Sequence, residues 1–321
     1  MPQQQQQQDI PVFLFTGFLE AGKTRFIKQV ALTDPAFRSG ERTLLMVCEE
    51  GEEEYDAEEL KKQNVFVEIV EQEIDLSEKI MTYLLKKNDC KQVIIEMNGM
   101  WQLNSLYQNM PDAWAVYQEF FLVDSTTFLT YNNNMRSLVV DKLQSAEMVI
   151  FSRFTKDMDK MPFHKIVRGS SRRAQIVYEY TDGNVEEDMI EDPLPFDMDA
   201  DIIEVKDEDF ALWYRDITEE PKKWIGKTVR MKGIVVKNPR FEPGVYAFGR
   251  QIMTCCVQDI QYCSLVAIGK KDLALETQSW YEATLKIDFK FHKLYARKGP
   301  ILNTVSIQRC AAPEQEVATF F

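Results

Sequence analysis

The sequence predicts an α/β domain with a mainly parallel sheet, followed by a smaller β-rich domain. Over roughly residues 10–190, short apolar runs alternate with segments whose apolar residues recur at helical spacing. An acidic stretch containing two prolines interrupts this pattern. Beyond it, apolar residues recur at every second position, as in the strands of a small barrel or sandwich.

The predicted elements divide the chain of 321 residues as follows. Strands are predicted at residues 10–15, 43–48, 64–70, 92–96, 120–124, 147–151 and 175–178. Because helical segments separate them, the connections should be right-handed crossovers in a parallel sheet. We expect a disordered Gln-rich tail at 1–9, a first domain at 10–190, a linker at 191–200, a second domain at 201–316 and a short tail at 317–321.

Composition narrows the class of protein. A net charge of −13 disfavours nucleic acid as the main partner, since phosphate backbones require clustered Lys and Arg. No apolar run approaches the roughly 20 residues that cross a bilayer, and no signal peptide is recognisable, so we expect a cytoplasmic protein without membrane insertion. The six cysteines should be reduced thiols.

The first predicted strand runs into a phosphate-loop pattern. Two glycines, Gly17 and Gly22, enclose four residues, and Lys23 and Thr24 follow at the start of a helical segment. Main-chain N–H groups of such a loop can surround a phosphate. Lys23 would reach the β- and γ-phosphates and Thr24 would ligate Mg²⁺. The alternative is a Gly-rich turn that binds nothing. The residues predicted to contact nucleotide here are Gly17, Glu20, Ala21, Gly22, Lys23, Thr24 and Arg25.

Carboxylates follow two further strands, at the sheet edge where open α/β proteins bind ligands. The strand at 43–48 leads into an acidic run, with Glu49 and Asp56 as predicted ligands of Mg²⁺ or a transition metal. The alternative is a solvated acidic loop. The strand at 92–96 ends in Glu96, which would hold the Mg²⁺ shell or orient water, and the Gly99 N–H would sense the γ-phosphate. We therefore predict Lys23 and Glu96 as the catalytic residues.

These motifs together resemble the CobW-type GTPases, a branch of the metal-centre GTPases. The phosphate loop is similar to their G-F-L-G-[AS]-G-K-T, the run from Glu49 to Asp56 to their N-E-x-G-E-x-x-x-D, and residues 96–99 stand where they have E-T-S-G. The resemblance covers roughly residues 10–190. It implies a P-loop NTPase that uses GTP or ATP with Mg²⁺, and Zn²⁺ as a metal that the family handles.

Three departures from the family pattern bear on function. The family's C-x-C-C metal motif would fall near residues 68–76, which contain no cysteine. Its guanine-reading N-K-x-D falls on residues 152–155, where Ser152 and Arg153 would contact the nucleoside but Thr155 replaces the carboxylate. That loss would lower guanine preference about 10- to 100-fold. Glu20 also replaces a glycine inside the loop, where a carboxylate repels phosphate unless it points outward.

The second domain resembles the OB-like C-terminal domain of a family described as two-component permease subunits. The resemblance covers roughly residues 201–316 and includes Cys255-Cys256, Trp280 and Pro313. Adjacent strand residues point to opposite faces, so Cys255 and Cys256 could share a metal only at a bulge or a strand end. The alternative is one core cysteine and one partly exposed cysteine.

The sequence therefore supports a slow Mg²⁺-dependent NTPase that acts as a switch in metal handling or in assembly of a client protein. The resemblances imply a client that is a metalloprotein or a permease component. Two alternatives stay open: a non-hydrolysing nucleotide-binding or interaction scaffold, and a thiol or metal carrier that uses the second domain.

Overall fold

The computed structural model describes residues 9–35, 37, 40–191, 194–254 and 257–320. The chain divides into two units, Met1–Ile190 and Glu191–Phe321, and the division falls at the start of the predicted linker. The predicted Gln-rich tail lies outside the described residues except for Asp9, as does Phe321 of the predicted C-terminal tail.

The first unit contains a sheet whose strands follow the order β3-β2-β4-β1-β5-β6-β7-β8. Neighbouring strands are parallel except for the β7–β8 pair, so the predicted mainly parallel sheet is confirmed. In chain order the strands are β1 Ile10–Thr16, β2 Thr43–Val47, β3 Val65–Ile69, β4 Gln92–Glu96, β5 Trp114–Asp124, β6 Met148–Phe154, β7 Gln175–Tyr180 and β8 Val185–Glu187.

Helical segments connect the strands. They are α1 Lys23–Phe26, which continues as a π-helical turn over Ile27–Ala31, then α2 Ala57–Lys62, α3 Glu78–Lys87, α4 Leu103–Tyr107, α5 Ser125–Asn134, α6 Arg136–Ser145 and α7 Met161–Ser170. A 3₁₀ turn spans Glu73–Asp75. None of the described helices is both long and apolar enough to cross a bilayer.

Strand β1 is buried on both faces, which explains its continuous apolar sequence. Leu14 packs in one apolar cluster with Met81 of α3, whereas Phe15 packs in another with Ile27. Because β1 lies between β4 and β5, the turn after β1 and the end of β4 meet at the same edge, with Phe15 in register with Glu96. The fold therefore places the predicted phosphate loop beside the predicted acidic strand end.

Two strands differ from their predicted bounds. Strand β5 begins at Trp114 rather than at residue 120, because its first half has partly exposed residues such as Tyr117 and lacks a continuous apolar run. Strand β6 extends to Phe154 rather than ending at residue 151. A register irregularity against β7 accommodates Arg153, whose φ is 54°. Ser152 and Arg153 are thus strand residues rather than loop residues.

A buried carboxyl on β5 gives a pH-dependent prediction. Glu119 is 2% exposed, and it accepts hydrogen bonds from Tyr107 Oη at 2.5 Å and Ser145 Oγ at 2.9 Å. Burial raises the pKa of Glu119 to about 7 from its ordinary 4.5. The folded state therefore holds a proton that the unfolded state loses between those two values, so stability should fall as pH rises through this window, by roughly 3 kcal/mol.

We expect Glu119→Gln to remove this part of the pH dependence. Urea unfolding at pH 5 and pH 8 measures it: the wild-type protein should lose more unfolding free energy between the two pH values than the variant. Equal losses in the two proteins would contradict the prediction.

The second unit is β-rich, as predicted. Its strands are β9 Ile203–Glu204, β10 Thr228–Val236, β11 Val245–Met253, β12 Gln261–Ile268, β13 Ser279–His292, β14 Arg297–Arg309 and β15 Ala318–Thr319. Pairing runs β10-β11-β12-β14-β13 and returns to β10, with β12 and β14 parallel. Because β10 and β11 share only three residue pairs, the barrel-like ring is partial.

Helix α8, Phe210–Glu219, precedes this ring, and a 3₁₀ turn at Pro221–Trp224 follows the helix. Acidic residues precede α8 rather than forming its first turn, because the helix begins at Phe210. One of these, Asp207, instead binds two cations on the ring, Lys232 and Arg250. Apolar α8 residues such as Trp213 join the core of this unit.

A buried arginine ties three segments of the second unit together. Arg250 on β11 is 1% exposed. Its Nη1 donates to the main-chain oxygen of Asp207 at 2.9 Å, and its Nη2 donates to the main-chain oxygen of Gln315 at 2.6 Å. The guanidinium lies 5.4 Å from the ring centre of Phe210 and 5.3 Å from that of Trp280. The segment before α8 and the C-terminal segment are therefore both held to β11.

Candidate nucleotide-binding site

The predicted phosphate loop connects the end of β1 at Thr16 to the start of α1 at Lys23. Gly17 has a φ of 147°, and a Cβ there would lie 2.3 Å from the carbonyl oxygen of Leu122. Only glycine fits so close to the neighbouring strand. The first residue of the loop therefore packs directly against β5, and this contact fixes the direction in which the chain leaves β1.

The Lys23 ammonium is buried inside this loop. Lys23 is 4% exposed, and its Nζ donates to the main-chain oxygens of Gly17 at 2.8 Å and Phe18 at 3.0 Å. Its third contact is the Oε2 of Glu49, at 2.6 Å. The two carbonyls hold the ammonium across the loop, where a bound phosphate would meet it.

Glu96 and Thr24, both predicted to hold Mg²⁺, also meet at this edge. The Thr24 Oγ1 donates to Glu96 Oε1 at 2.7 Å. Glu96 is 2% exposed, and burial raises the pKa of its carboxyl, while hydrogen bonds oppose the rise. A hydroxyl and a carboxylate side by side are oxygen ligands of the kind that Mg²⁺ binds beside phosphates.

Tyr55 is a site residue that the sequence reasoning missed. Its hydroxyl donates to Glu96 Oε2 at 2.5 Å, so Tyr55 and Thr24 together satisfy both carboxylate oxygens. Burial raises the pKa of the Tyr55 hydroxyl, which therefore stays a donor. The only sequence signal was an aromatic residue inside an otherwise acidic run.

Glu49 connects the acidic loop to two groups of the site. Its Oε2 pairs with Lys23, and its Oε1 accepts a hydrogen bond from the Gly99 main-chain N–H at 3.3 Å. Gly99 itself lies against the phosphate loop, since a Cβ there would be 2.6 Å from the Gly17 carbonyl oxygen. The structure thus brings Lys23, Glu49 and Gly99 together.

Asp56 has a local role in the structure. It is the N-cap of α2, and its Oδ1 accepts from the Glu59 main-chain N–H at 3.0 Å. Across the described part of the chain, no three His, Cys, Asp or Glu side chains are arranged to hold a metal ion. Metal binding by the acidic loop stays a prediction.

The two other cations predicted to contact nucleotide have carboxylate partners too. Arg25 pairs with Glu179 at the end of β7, and Arg153 pairs with Asp124 at the end of β5. Arg153 Nη1 also donates to the main-chain oxygen of Glu20 at 2.9 Å. The contacts of Arg153 thus hold the phosphate loop to the ends of β5 and β6, and the Arg25 ion pair holds α1 to the end of β7.

Glu20 and Ser152 are oriented by main-chain contacts. The Glu20 carboxylate accepts from the Glu52 N–H at 3.1 Å, so its charge is directed towards the acidic loop. Ser152 is 5% exposed, and its Oγ is hydrogen-bonded to the Val123 and Ala21 carbonyl oxygens at 3.1 and 3.3 Å. Ser152 therefore links the phosphate loop at Ala21 to the end of β5 at Val123.

A cavity of about 170 Å³ lies at this edge. Its wall includes both predicted catalytic side chains, Lys23 and Glu96, and it extends to Arg153 at the predicted base-reading segment. The predicted residues Glu20, Gly22, Thr24, Arg25, Glu49 and Ser152 also line it. Most of the predicted nucleotide-site residues therefore surround one space, whereas Gly17, Ala21, Gly99 and Asp56 are not part of its wall.

The predicted thiol site lies elsewhere in the chain. Cys255 and Cys256 are outside the described residues, so their metal or thiol chemistry stays a prediction. Cys48 and Cys90 are buried, as expected of packing residues, and burial raises the pKa of Cys48 to about 12. Cys48 is therefore a thiol rather than a thiolate.

Models of two known protein families match the two units of the chain. The family model described as CobW/HypB/UreG, nucleotide-binding domain, matches residues 11–177. The model described as the DUF1980 C-terminal domain matches residues 180–317. Both resemblances drawn from the sequence motifs are confirmed at the level of family. No curated protein matches this chain.

Several solved structures are similar at low identity, among them those of two different proteins. One is the Zn(II)-bound YjiA GTPase from E. coli, at 18% identity and a TM-score of 0.43, over 56% of this chain and 59% of that protein. The other is the hydrogenase maturation factor HypB from Archaeoglobus fulgidus, at 14% identity and a TM-score of 0.39, over 54% of this chain and 81% of that protein. This chain thus spans less than two thirds of the YjiA chain.

Proposed function

This chain belongs to the CobW/HypB/UreG family of nucleotide-binding domains, and on that premise we propose that it is a slow, Mg²⁺-dependent nucleoside triphosphatase. Its role would be a switch in metal handling or in assembly of a client, either a metalloprotein or a permease component. The observation that carries the proposal is the meeting of Lys23, Thr24 and Glu96 on the wall of one cavity at the edge of the sheet.

The chain's own groups supply binding and orientation. Lys23, held by two carbonyl oxygens, would place its positive charge on the β- and γ-phosphates. Glu96 fixes the Thr24 hydroxyl, so that both would present oxygens to Mg²⁺. When bound, Mg²⁺ would neutralise part of the phosphate charge. Rate enhancement would come from this positioning and charge rather than from covalent chemistry.

The ligand set also limits which metal and which base we propose. Oxygen donors from a hydroxyl and a carboxylate favour Mg²⁺ over Zn²⁺, which prefers nitrogen and sulfur. Thr155 stands where the guanine-binding carboxylate of the family pattern would be. We therefore propose that GTP and ATP bind with affinities closer than in a GTPase that has this carboxylate.

Calorimetric titration of the full chain with GTP and ATP, each with and without Mg²⁺, tests this function. We expect Mg²⁺-dependent binding by the wild-type protein. Thr24→Val should lower affinity for the Mg²⁺ complexes roughly 10-fold and leave Mg²⁺-free binding nearly unchanged, because the variant removes one oxygen ligand.

The matched control is Thr33→Val, which removes a hydroxyl that donates to the Gln29 carbonyl oxygen at 2.6 Å and should not alter binding. A wild-type protein that gives no heat with either nucleotide would overturn the proposal. One observation would then favour the scaffold alternative: Lys23, Arg25 and Arg153 each have a carboxylate partner in the structure, which would leave this edge closed to anions.

A further inference from the structure

Glu49 binds two groups that are predicted to contact the γ-phosphate, the Lys23 ammonium and the Gly99 main-chain N–H. One carboxylate oxygen lies 2.6 Å from Lys23 Nζ, and the other accepts from the Gly99 N–H at 3.3 Å. The Glu49 side chain is only 11% exposed, so the contact is made inside the site rather than at its solvent rim. A carboxylate that spans an ammonium and a main-chain N–H presents the same charge and acceptor pattern as two oxygens of a phosphoryl group.

The donors of Lys23 are fully engaged in this arrangement. An ammonium has three N–H donors. Two go to the Gly17 and Phe18 carbonyl oxygens, and the third goes to Glu49. A phosphate that binds Lys23 while the loop keeps its shape must therefore take the place of Glu49. Each main-chain N–H is a single donor as well, so a γ-phosphate oxygen at Gly99 would displace the other Glu49 oxygen.

Charge makes this replacement an exchange rather than an addition. Glu49 and a terminal phosphate are both anions, and side by side at one ammonium they would repel each other in a site of low exposure. A triphosphate would displace Glu49 from Lys23 and Gly99. A diphosphate would compete only at Lys23, because the Gly99 N–H is the group assigned to the γ-phosphate.

Displacement of Glu49 would also affect the acidic loop, residues 49–56. Glu49 is its first residue, and Tyr55 near its other end donates to Glu96 at 2.5 Å. Both ends of the segment 49–56 are thus held on the site by side chains, one on Lys23 and the other on Glu96. Release of Glu49 would free one of these two attachments.

We propose that Glu49 is a specificity-determining residue, an internal competitor of the γ-phosphate whose displacement distinguishes triphosphate from diphosphate and loosens the acidic loop. This inference rests on the proposed nucleotide binding at the same site. It assigns Glu49 to an exchange with phosphate rather than to permanent ligation of the metal.

Glu49→Gln tests the proposal, because the amide keeps the shape and loses the charge. The probes are guanosine 5′-O-(3-thiotriphosphate) and GDP, titrated calorimetrically into the full chain with Mg²⁺ and again with EDTA. We expect the variant to bind the triphosphate about 10-fold more tightly than the wild-type protein and the diphosphate at most about threefold more tightly, in both buffers. Glu58→Gln, in the exposed first turn of α2, removes the same charge and should change neither affinity.

Hydrogen exchange of the wild-type protein tests the loop without any substitution. The triphosphate should raise amide exchange over residues 49–56, and GDP should not. Protection of this segment by the triphosphate would overturn the proposal.

Other outcomes are equally decisive. Unchanged or weaker triphosphate binding by Glu49→Gln would overturn the proposal, and so would equal gains for both nucleotides, which would make Glu49 a general repellent of anions. If neither protein binds any nucleotide, the proposed function itself fails. If both proteins bind equally, only the role of Glu49 fails.

Discussion

Replacing Lys23 by methionine is expected to lower the affinity for Mg²⁺-nucleoside triphosphate about 100-fold, because the variant loses both the positive charge beside the phosphates and the charged hydrogen bond that this ammonium would donate to them. Methionine keeps most of the side-chain volume, so the loss should reflect charge rather than a cavity. Calorimetric titration with Mg²⁺-GTP measures it.

The same variant should also destabilise the protein, by about 1–3 kcal/mol. The Gly17 and Phe18 carbonyl oxygens would lose their common donor, and Glu49 would lose its cation. A drop in melting temperature without nucleotide would show this effect.

Lys28→Met is the matched control for both measurements. It removes a partly exposed ammonium, which contacts Glu53 at 3.5 Å, from the π-helical turn that continues α1. We expect its nucleotide affinity to stay within about threefold of wild type. A Lys23→Met variant that bound as well as this control would remove the basis of the nucleotide site.

The second large effect concerns stability of the second unit: Arg250→Leu should lower its free energy of unfolding by about 3–5 kcal/mol. The substitution leaves the carbonyl oxygens of Asp207 and Gln315 without their donor and removes the cation that lies against Phe210 and Trp280. Urea unfolding followed by tryptophan fluorescence suits the measurement, since Trp213, Trp224 and Trp280 belong to this unit.

Arg309→Leu provides the comparison for Arg250. Arg309 also lies on a strand and forms an ion pair, with Glu276 at 2.8 Å, but its side chain is 62% exposed. An exposed pair contributes little, so this variant should change the unfolding free energy by less than about 1 kcal/mol. Similar losses for the two arginines would refute the claim that burial makes Arg250 important.

The sequence predicted those parts of the site whose residues lie close together along the chain. Gly17, Lys23 and Thr24 lie within eight residues, and the apolar strand before them requires no knowledge of distant contacts. Glu96 could be placed beside them because a parallel sheet brings carboxyl ends of strands to one edge. Strand β4 is indeed the direct neighbour of β1.

Pairings between distant side chains could not be predicted in this way. The contacts of Glu49 with Lys23 and of Tyr55 with Glu96 depend on the path of the acidic loop, which has no periodic pattern. An acidic run has the same sequence pattern whether it binds a metal, faces solvent or forms an ion pair with a lysine. The burial of Arg250 could not be predicted either, because a charged residue in a strand is expected on the exposed face.

The contact between Gly99 and Gly17 has a practical consequence for observing the protein at work. Because no side chain separates the turn after β4 from the first bend of the phosphate loop, neither segment can move towards the other without pushing it. Met100, the next residue, is 57% exposed. A fluorophore attached there through an introduced cysteine would report ligand arrival in solution from outside the cavity, in real time and without a labelled nucleotide.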